Sequence, residues 1–390
     1  MYTVKTLNAI SPVYSSILDM SQYTFDAYPE NPDAIMVRSA NMHEMDLPES
    51  VLCVARAGAG VNNIPLEKYA QKGIVVFNSP GANANAVKEL ALTGMLLASR
   101  KVIDAVDWAY TLKGKGAEVE KLVEKGKGQF TGPELMGKTL GVIGLGEIGV
   151  LVANTGVALG MNVFGYDPFI SVDHAWKLSR AVSHSLDLDE LLQKSDYITL
   201  HVPLMDSTRN MISAEQLKKM KPSCALLNFS RSGLVDSRAV LDALATGMLR
   251  KYVTDFPSDD LIGQKDVIAI PHLGASTPES EDNCVCMVAR QVDDYLRNGS
   301  IVNSVNYPNC PLGRVSEPRL TIMHKNVPNV ISAFTSLIAQ EGLNIDNMIN
   351  KSRGAFAYTV FEFDSQPSED LVKKMCELET TYRARLILPQ

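Results

Sequence analysis

The sequence predicts an α/β protein with two doubly wound parallel sheets and a small C-terminal βαββαβ domain. Three observations carry this. Short apolar strands alternate with helical patterns up to about residue 270. A proline-rich stretch, YPNCPLGRVSEP (Tyr307 to Pro318), continues neither a helix nor a central strand and marks a linker. The tail beyond it changes rhythm. A chain of 390 residues, 46% hydrophobic and 21% charged, has room for two or three cores of this kind.

From Ala34 to Asn78 the strands AIMVR, VLCVAR and IVVFN are separated by polar or helical stretches such as IPLEKYAQKG, a βαβ rhythm. A second run opens near Lys138 with TLGVIG. It continues through NVFGYD, YITLHVP and ALLNFS, alternating with the helical patterns AEQLKKM and SRAVLDALATG. Between the two runs, Lys113 to Phe130 is rich in Lys, Glu and Gly and reads as a solvated surface helix or loop, or else as an anion-guiding rim. In the tail, strand RLTIMHK precedes a helix that puts Val330, Ile331, Phe334, Leu337 and Ile338 on one face. Two strands, the helix EDLVKKMCEL and the strand RARLIL complete a ferredoxin-like plan.

The net charge of −7 argues against a general nucleic-acid binder, although a local basic cluster could still grip a small anion; the expected partner is a small molecule. The first residues, MYTVKTLN, lack a basic stretch followed by an apolar core, and no run of 18 apolar residues occurs, so no membrane role is expected. Cysteines 53, 224, 284, 286, 310 and 376 read as reduced thiols of a cytoplasmic protein. Cys284 and Cys286 are too close for a zinc knuckle, and no metal is expected.

The most informative segment runs from Lys138 to Asp167. An apolar strand leads directly into Gly144-Leu145-Gly146-Glu147-Ile148-Gly149, and an apolar helix pattern follows. Gly144 permits the tight turn, Gly146 lets backbone approach a pyrophosphate, and Gly149 lets helix and strand pack closely. The helix N-terminus supplies N–H groups to the anion. The next strand ends at Asp167, placed to accept from both adenosine ribose hydroxyls, with no adjacent Arg. This predicts NAD rather than NADP.

Two further residues stand at strand ends. His272, in IPHLGAST, follows the strand-like VIAIP, and Arg231, in LLNFSRSGLVD, follows another apolar strand. Alone, the first could be structural and the second a surface ion pair.

Together with VRSA, RAGAGVNNI, GKTLGVIGLGEIG and LHVPL, these motifs resemble those of the D-isomer-specific 2-hydroxyacid dehydrogenases, in order and over nearly the whole chain. The resemblance implies that Arg231 binds the substrate carboxylate and polarises the C2 carbonyl, and that His272 is the general acid/base. It adds His201, Val202, Pro203, Phe229, Ser230, Asp255 and Gly274 to the cofactor contacts, with Arg231 and His272 beside them. Family members pair the catalytic His with a Glu, whereas this chain reads Thr254-Asp255-Phe256-Pro257-Ser258-Asp259-Asp260. Aligning with one gap puts Asp255 beside the nicotinamide amide and Asp259 in the acid's place, with Asp260 as second choice. Arg38, Ser39, Arg56, Ala59, Gly60 and Asn83 are the counterparts of substrate-binding positions.

The family plan also implies a discontinuous substrate domain, 1–95 with 285–306, around a Rossmann-like NAD domain at 96–284. A linker at 307–318 and a tail at 319–390 similar to ACT regulatory domains complete it. Members with such a tail oxidise 3-phospho-D-glycerate on the way to L-serine. There His324, Asn326 and Asn344 would be effector residues for serine, although Asn329 replaces a family glycine. The alternative is a tail that only joins chains into a homodimer or homotetramer. Other readings are a glycerate or hydroxypyruvate reductase and a non-enzymatic NAD-sensing corepressor.

Overall fold

The computed structural model describes residues 1–389 and divides into two compact units, 84–277 and the remainder of the chain on either side of it. The first unit opens with a parallel sheet of β1 (Tyr2–Leu7), β2 (Tyr23–Asp26), β3 (Ala34–Val37), β4 (Cys53–Arg56) and β5 (Val75–Phe77), with α1 (Leu66–Gln71) between the last two. The strand order is β2-β1-β3-β4-β5. Every residue of β3 and β5 is buried, as parallel strands covered on both faces require, which is why both show as unbroken apolar runs. β1 and β2 stand at the far side of the sheet, are half-exposed and interleave polar residues, so no apolar run announces them.

The second unit begins with α2 (Ala84–Ser99), α3 (Val102–Tyr110) and α4 (Val119–Gly126). The Lys- and Glu-rich stretch around α4 buries none of that helix, in keeping with a solvated helix. Then follow β6 (Thr139–Ile143), α5 (Glu147–Ala158), β7 (Asn162–Tyr166), α6 (Val172–Lys177), β8 (Ser183–His184), α7 (Leu188–Lys194) and β9 (Tyr197–Leu200). α8 (Ala214–Leu217), β10 (Ala225–Asn228), α9 (Ser237–Ala245), β11 (Lys251–Thr254) and β12 (Val267–Ala269) complete it. All seven strands are parallel in the order β12-β11-β10-β9-β6-β7-β8. The winding reverses between β6 and β9, where open α/β sheets leave a crevice at the carboxyl ends of the strands.

The chain then returns to the first unit through α10 (Pro278–Asn298). Its last part is β13 (Arg319–Lys325), α11 (Val330–Glu341), β14 (Ile345–Arg353), β15 (Phe356–Phe363), α12 (Glu369–Glu377) and β16 (Thr381–Ile387). The four strands form an antiparallel sheet, β14-β15-β13-β16. Asn329 precedes α11 at φ +67°, a left-handed conformation that asparagine tolerates better than most side chains, and Gly342 ends that helix at φ +75°.

The hand-over points, between residues 83 and 84 and between 277 and 278, differ from those read off the sequence. α2 belongs with the second sheet: a side chain added at Gly94 would stand 2.6 Å from the Phe229 ring. An apolar helix pattern does not say which sheet it covers. The tail does not separate either. Met323, Tyr358 and Val360 share a core with Val4, Phe77 and Tyr295, and the proline-rich stretch is packed, with Tyr307 and Cys310 fully buried. Ile301 and Cys310 exchange backbone hydrogen bonds there. Prolines exclude regular structure, not burial.

Arginines fasten the tail to the end of α10. Arg385 donates to the carbonyls of Tyr295 (2.6 Å) and Leu296 (3.3 Å), and Arg319 donates to that of Asn298 (2.6 Å). They satisfy carbonyls that a helix end leaves without partners. Arg319, with a side chain only 4% exposed, also forms an ion pair with Glu362. We expect Arg319→Ala to cost about 1.5–3 kcal/mol, because it removes charge-assisted hydrogen bonds from a partly buried carboxylate. Denaturant unfolding measures this, and a loss below about 1 kcal/mol would mean the pair is solvated. Among the described residues no helix is long and apolar enough to cross a membrane.

Candidate active site

The residues expected to hold the cofactor line the carboxyl ends of the second unit's strands. β6 runs into Gly144, at φ +91°, where an added side chain would meet the His201 carbonyl oxygen at 2.6 Å. At Gly149 it would lie 1.8 Å from the Gly144 carbonyl oxygen, so α5 and the turn can touch only through glycine. At Gly146, by contrast, nothing stands within 4 Å. The turn therefore leaves open space before the first N–H groups of α5, at Glu147, Ile148 and Gly149, and a pyrophosphate fits that space and that charge. Asp167, beyond β7, accepts from the Leu145 N–H and the Phe169 N–H, each at 2.8 Å, which fixes its carboxylate beside the glycine turn.

His201 follows β9. Burial pushes its imidazole down to about 3, so the ring is neutral at physiological pH. One nitrogen meets Thr199 Oγ1 at 2.9 Å and Nδ1 has no partner, leaving a hydrogen-bonding position for a ligand. Val202 lends its carbonyl to the Ser230 hydroxyl (2.7 Å) and Pro203 lends its own to Thr208 (2.7 Å), so both serve here as backbone. The Phe229 side chain, 5% exposed, packs into the core against α2, so only its backbone remains for a cofactor.

Beyond β10, Arg231 is exposed and extended, its guanidinium donating to the Ser230 carbonyl at 2.6 Å. The fully buried Asn228 sets this turn. Its amide donates to the Arg231 carbonyl (2.9 Å) and its oxygen accepts from the Ser230 N–H (3.2 Å). The sequence reading overlooked Asn228, although a polar residue closing an apolar strand was its visible signal.

His272 is exposed on the loop after β12, with its ring 4.8 Å from that of Phe256. The proposed acid is not its neighbour in the expected way. Asp259 is exposed and makes no hydrogen bond or ion pair among the described residues, and Asp260 accepts from Ser258 Oγ at 2.5 Å. A short turn after β11 points both toward water. Asp255 instead is fully buried, and its carboxylate has no side-chain hydrogen-bond partner. Burial pushes its carboxyl up, while the nearby charge of His272, the backbone N–H groups of Gly274 and of Asp255 itself and, more weakly, Arg231 pull it down. A side chain added at Gly274 would stand 3.4 Å from Asp255 Oδ2, so the His272 loop lies close over the carboxylate.

The positions expected to bind substrate lie in the first unit. Arg38 and Ser39 follow β3, and Arg56 closes β4. Asn8, which the sequence reading passed over, accepts from the backbone N–H of Ser39 (3.1 Å) and Ala40 (2.6 Å). Arg56 Nε donates to the Arg38 carbonyl at 3.1 Å, holding the two arginines together. Arg38 also pairs with Glu281 of α10 at 2.6 Å, a contact no local motif reveals. Ala59 and Gly60 form the turn after β4, braced by the Asn78 amide on the Ala59 carbonyl (2.6 Å), and half-exposed Asn83 precedes α2.

The expected effector residues are not equivalent. His324 is 2% exposed, and its ring nitrogens meet Thr359 Oγ1 (2.7 Å) and the Lys325 carbonyl (2.8 Å), so it is not presented to a ligand; in the sequence it was one residue of an otherwise apolar strand. Asn326 and Asn344 are exposed, donating to the Gly354 carbonyl (3.0 Å) and Asp346 (2.9 Å). Among the described residues no cluster of His, Cys, Asp or Glu could hold a metal.

Residues 92–274 match the model of the D-isomer specific 2-hydroxyacid dehydrogenase NAD binding domain. The chain is 39% identical over 291 residues to D-3-phosphoglycerate dehydrogenase of Methanocaldococcus jannaschii, covering 72% of this chain and 53% of that protein. It thus spans about half the length of this relative. To the Escherichia coli K12 D-3-phosphoglycerate dehydrogenase it is 33% identical, covering 87% of this chain and 82% of that one. The structure of NAD+-bound 3-phosphoglycerate dehydrogenase from Entamoeba histolytica superposes with a TM-score of 0.60 at 25% identity, over 78% of this chain and 98% of that one. NAD is accordingly the cofactor of this chain. The extent of these matches shows that the chain belongs to the D-isomer specific 2-hydroxyacid dehydrogenase family.

Proposed function

We propose that the protein is a cytoplasmic NAD-dependent dehydrogenase that oxidises 3-phospho-D-glycerate to 3-phosphohydroxypyruvate, the first step of L-serine biosynthesis. The observation that carries this reading is the meeting of Arg231, His272 and buried Asp255 at the carboxyl edge of the sheet that bears the glycine turn. Two relatives named for this activity support the substrate. The adjacent arginines 38 and 56 supply the cations that a phosphate needs.

Arg231 offers a planar two-donor fork to the substrate carboxylate and draws electron density from C2. His272 takes the C2 hydroxyl proton at a ring nitrogen, while Asp255 favours the cation so formed. When bound, NAD accepts the C2 hydrogen with its electron pair. Phe256 limits the swing of the imidazole. In reduction the same residues act in reverse.

We read the tail as an ACT regulatory domain with its βαββαβ order, and Asn326 and Asn344 as its serine contacts. α3 buries none of its residues and leaves Val102, Ile103, Val106 and Tyr110 exposed, which supports assembly into a homodimer or homotetramer. The test is NADH production from 3-phospho-D-glycerate, D-glycerate and D-lactate, with and without L-serine. The phosphorylated substrate should show a kcat/KM about 10² higher than glycerate, the value of two or so charge-assisted hydrogen bonds. Absence of turnover with it would reject the substrate, and a rate indifferent to serine would leave the tail a structural one.

A further inference from the structure

α5 begins with an acid, Glu147, at the helix end that faces the open space above Gly146. An uncompensated carboxylate there would repel a dinucleotide pyrophosphate. The fold compensates it from α6. Lys177 Nζ meets Glu147 Oε1 at 3.0 Å and Oε2 at 3.2 Å, and His174 Nε2 lies 3.2 Å from Oε1. The hydrogen bond from Lys177 is the main reason the Glu147 carboxyl stays below its usual range, with His174 assisting against partial burial.

Both arms of this cluster start at the ribose corner. Asp167 accepts from Leu145, two residues before Glu147, and from Phe169, just before Ser171 caps α6. The sequence reading found no cation near Asp167. The structure brings two onto Glu147, two residues beyond the Leu145 that Asp167 holds, so they are already engaged by an acid. Their placement matters because NAD and NADP differ at this corner by one phosphate, and a free lysine is a suitable phosphate ligand.

We propose that Glu147 is a coenzyme-selectivity residue: by pinning Lys177 and His174 against the first turn of α5 it withholds them from a 2′-phosphate, adding to the repulsion that Asp167 exerts. Glu147 thereby neutralises two cations that would otherwise serve NADP, and they in turn neutralise Glu147 for the pyrophosphate of NAD. The inference rests on the reading of the glycine turn and Asp167 as the dinucleotide site.

Equilibrium titration of the full chain with NADH and NADPH, followed by nicotinamide fluorescence, tests it without turnover. Wild type should favour NADH. Glu147→Gln should lower the ratio of NADPH to NADH dissociation constants by about tenfold or more, the value of a gained charge-assisted contact. The gain should come from tighter NADPH binding. Adding Lys177→Gln to that variant should restore the ratio to within about threefold of wild type. An unchanged ratio in Glu147→Gln, equal tightening of both dinucleotides, or a shift that survives the loss of Lys177 would each overturn the selectivity role. Failure of the wild type to bind NADH would overturn the dinucleotide site itself, a distinct outcome.

Discussion

Replacement of His272 by Gln is expected to lower kcat by about 10³, within the 10²–10⁴ that a positioned acid/base contributes, with little change in thermal stability. The ring is exposed and its one aromatic contact is with Phe256, so its loss opens no cavity, and the buried Asp255 carboxyl that loses the nearby charge can take up a proton instead. Glutamine keeps a polar end of similar reach but cannot take up a proton near neutral pH. The chemistry should therefore fail while the scaffold stands. Initial rates of NADH formation, NADH binding and the unfolding midpoint, measured together, separate these effects. A fall of less than about tenfold with normal binding would show that another group removes the proton.

Much of the architecture could be read before any coordinates. β3, β5, β9 and β10 are buried along their whole length, and such strands write themselves as apolar runs. The glycine turn is equally readable, because the contact of Gly149 with the Gly144 carbonyl excludes any other residue. What escaped the sequence depends on tertiary proximity. Glu281 meets Arg38 across more than two hundred positions, and Lys177 meets Glu147 from a separate helix. Neither pairing has a local signature, since a charged residue on a helix looks solvated until its neighbour is known. The acid of the active site shows the same limit. The resemblance with one gap favours Asp259, whereas burial, which an alignment does not record, favours the Asp255 of our proposal.

That difference gives the second large effect. Asp255→Asn should lower kcat about 10²-fold, as expected when the group that orients and charges a catalytic imidazole is made neutral, while Asp259→Asn should stay within about twofold of wild type. In Asp255→Asn the acidic limb of the kcat/KM profile should move to lower pH, because the protonated base loses its nearby anion; a purely structural role would not move it. Stability should change in the opposite sense to activity. Burial raises the Asp255 carboxyl above its ordinary value, so the protonated form suits the fold. The stability this lends is fully present below the ordinary carboxylate pKa and is lost as pH rises through the raised one. Asparagine does not ionise, so the unfolding midpoint of Asp255→Asn minus that of wild type should grow between about pH 4 and neutrality. About 1 kcal/mol or more is expected at the upper end, for a buried charge without a side-chain hydrogen-bond partner. A variant that is less active yet more stable, increasingly so toward neutral pH, would identify Asp255 as a charge kept in the core for its effect on His272. Equal loss of activity and stability would make it a packing residue, and a larger activity loss in Asp259→Asn would return the acid's role to the loop.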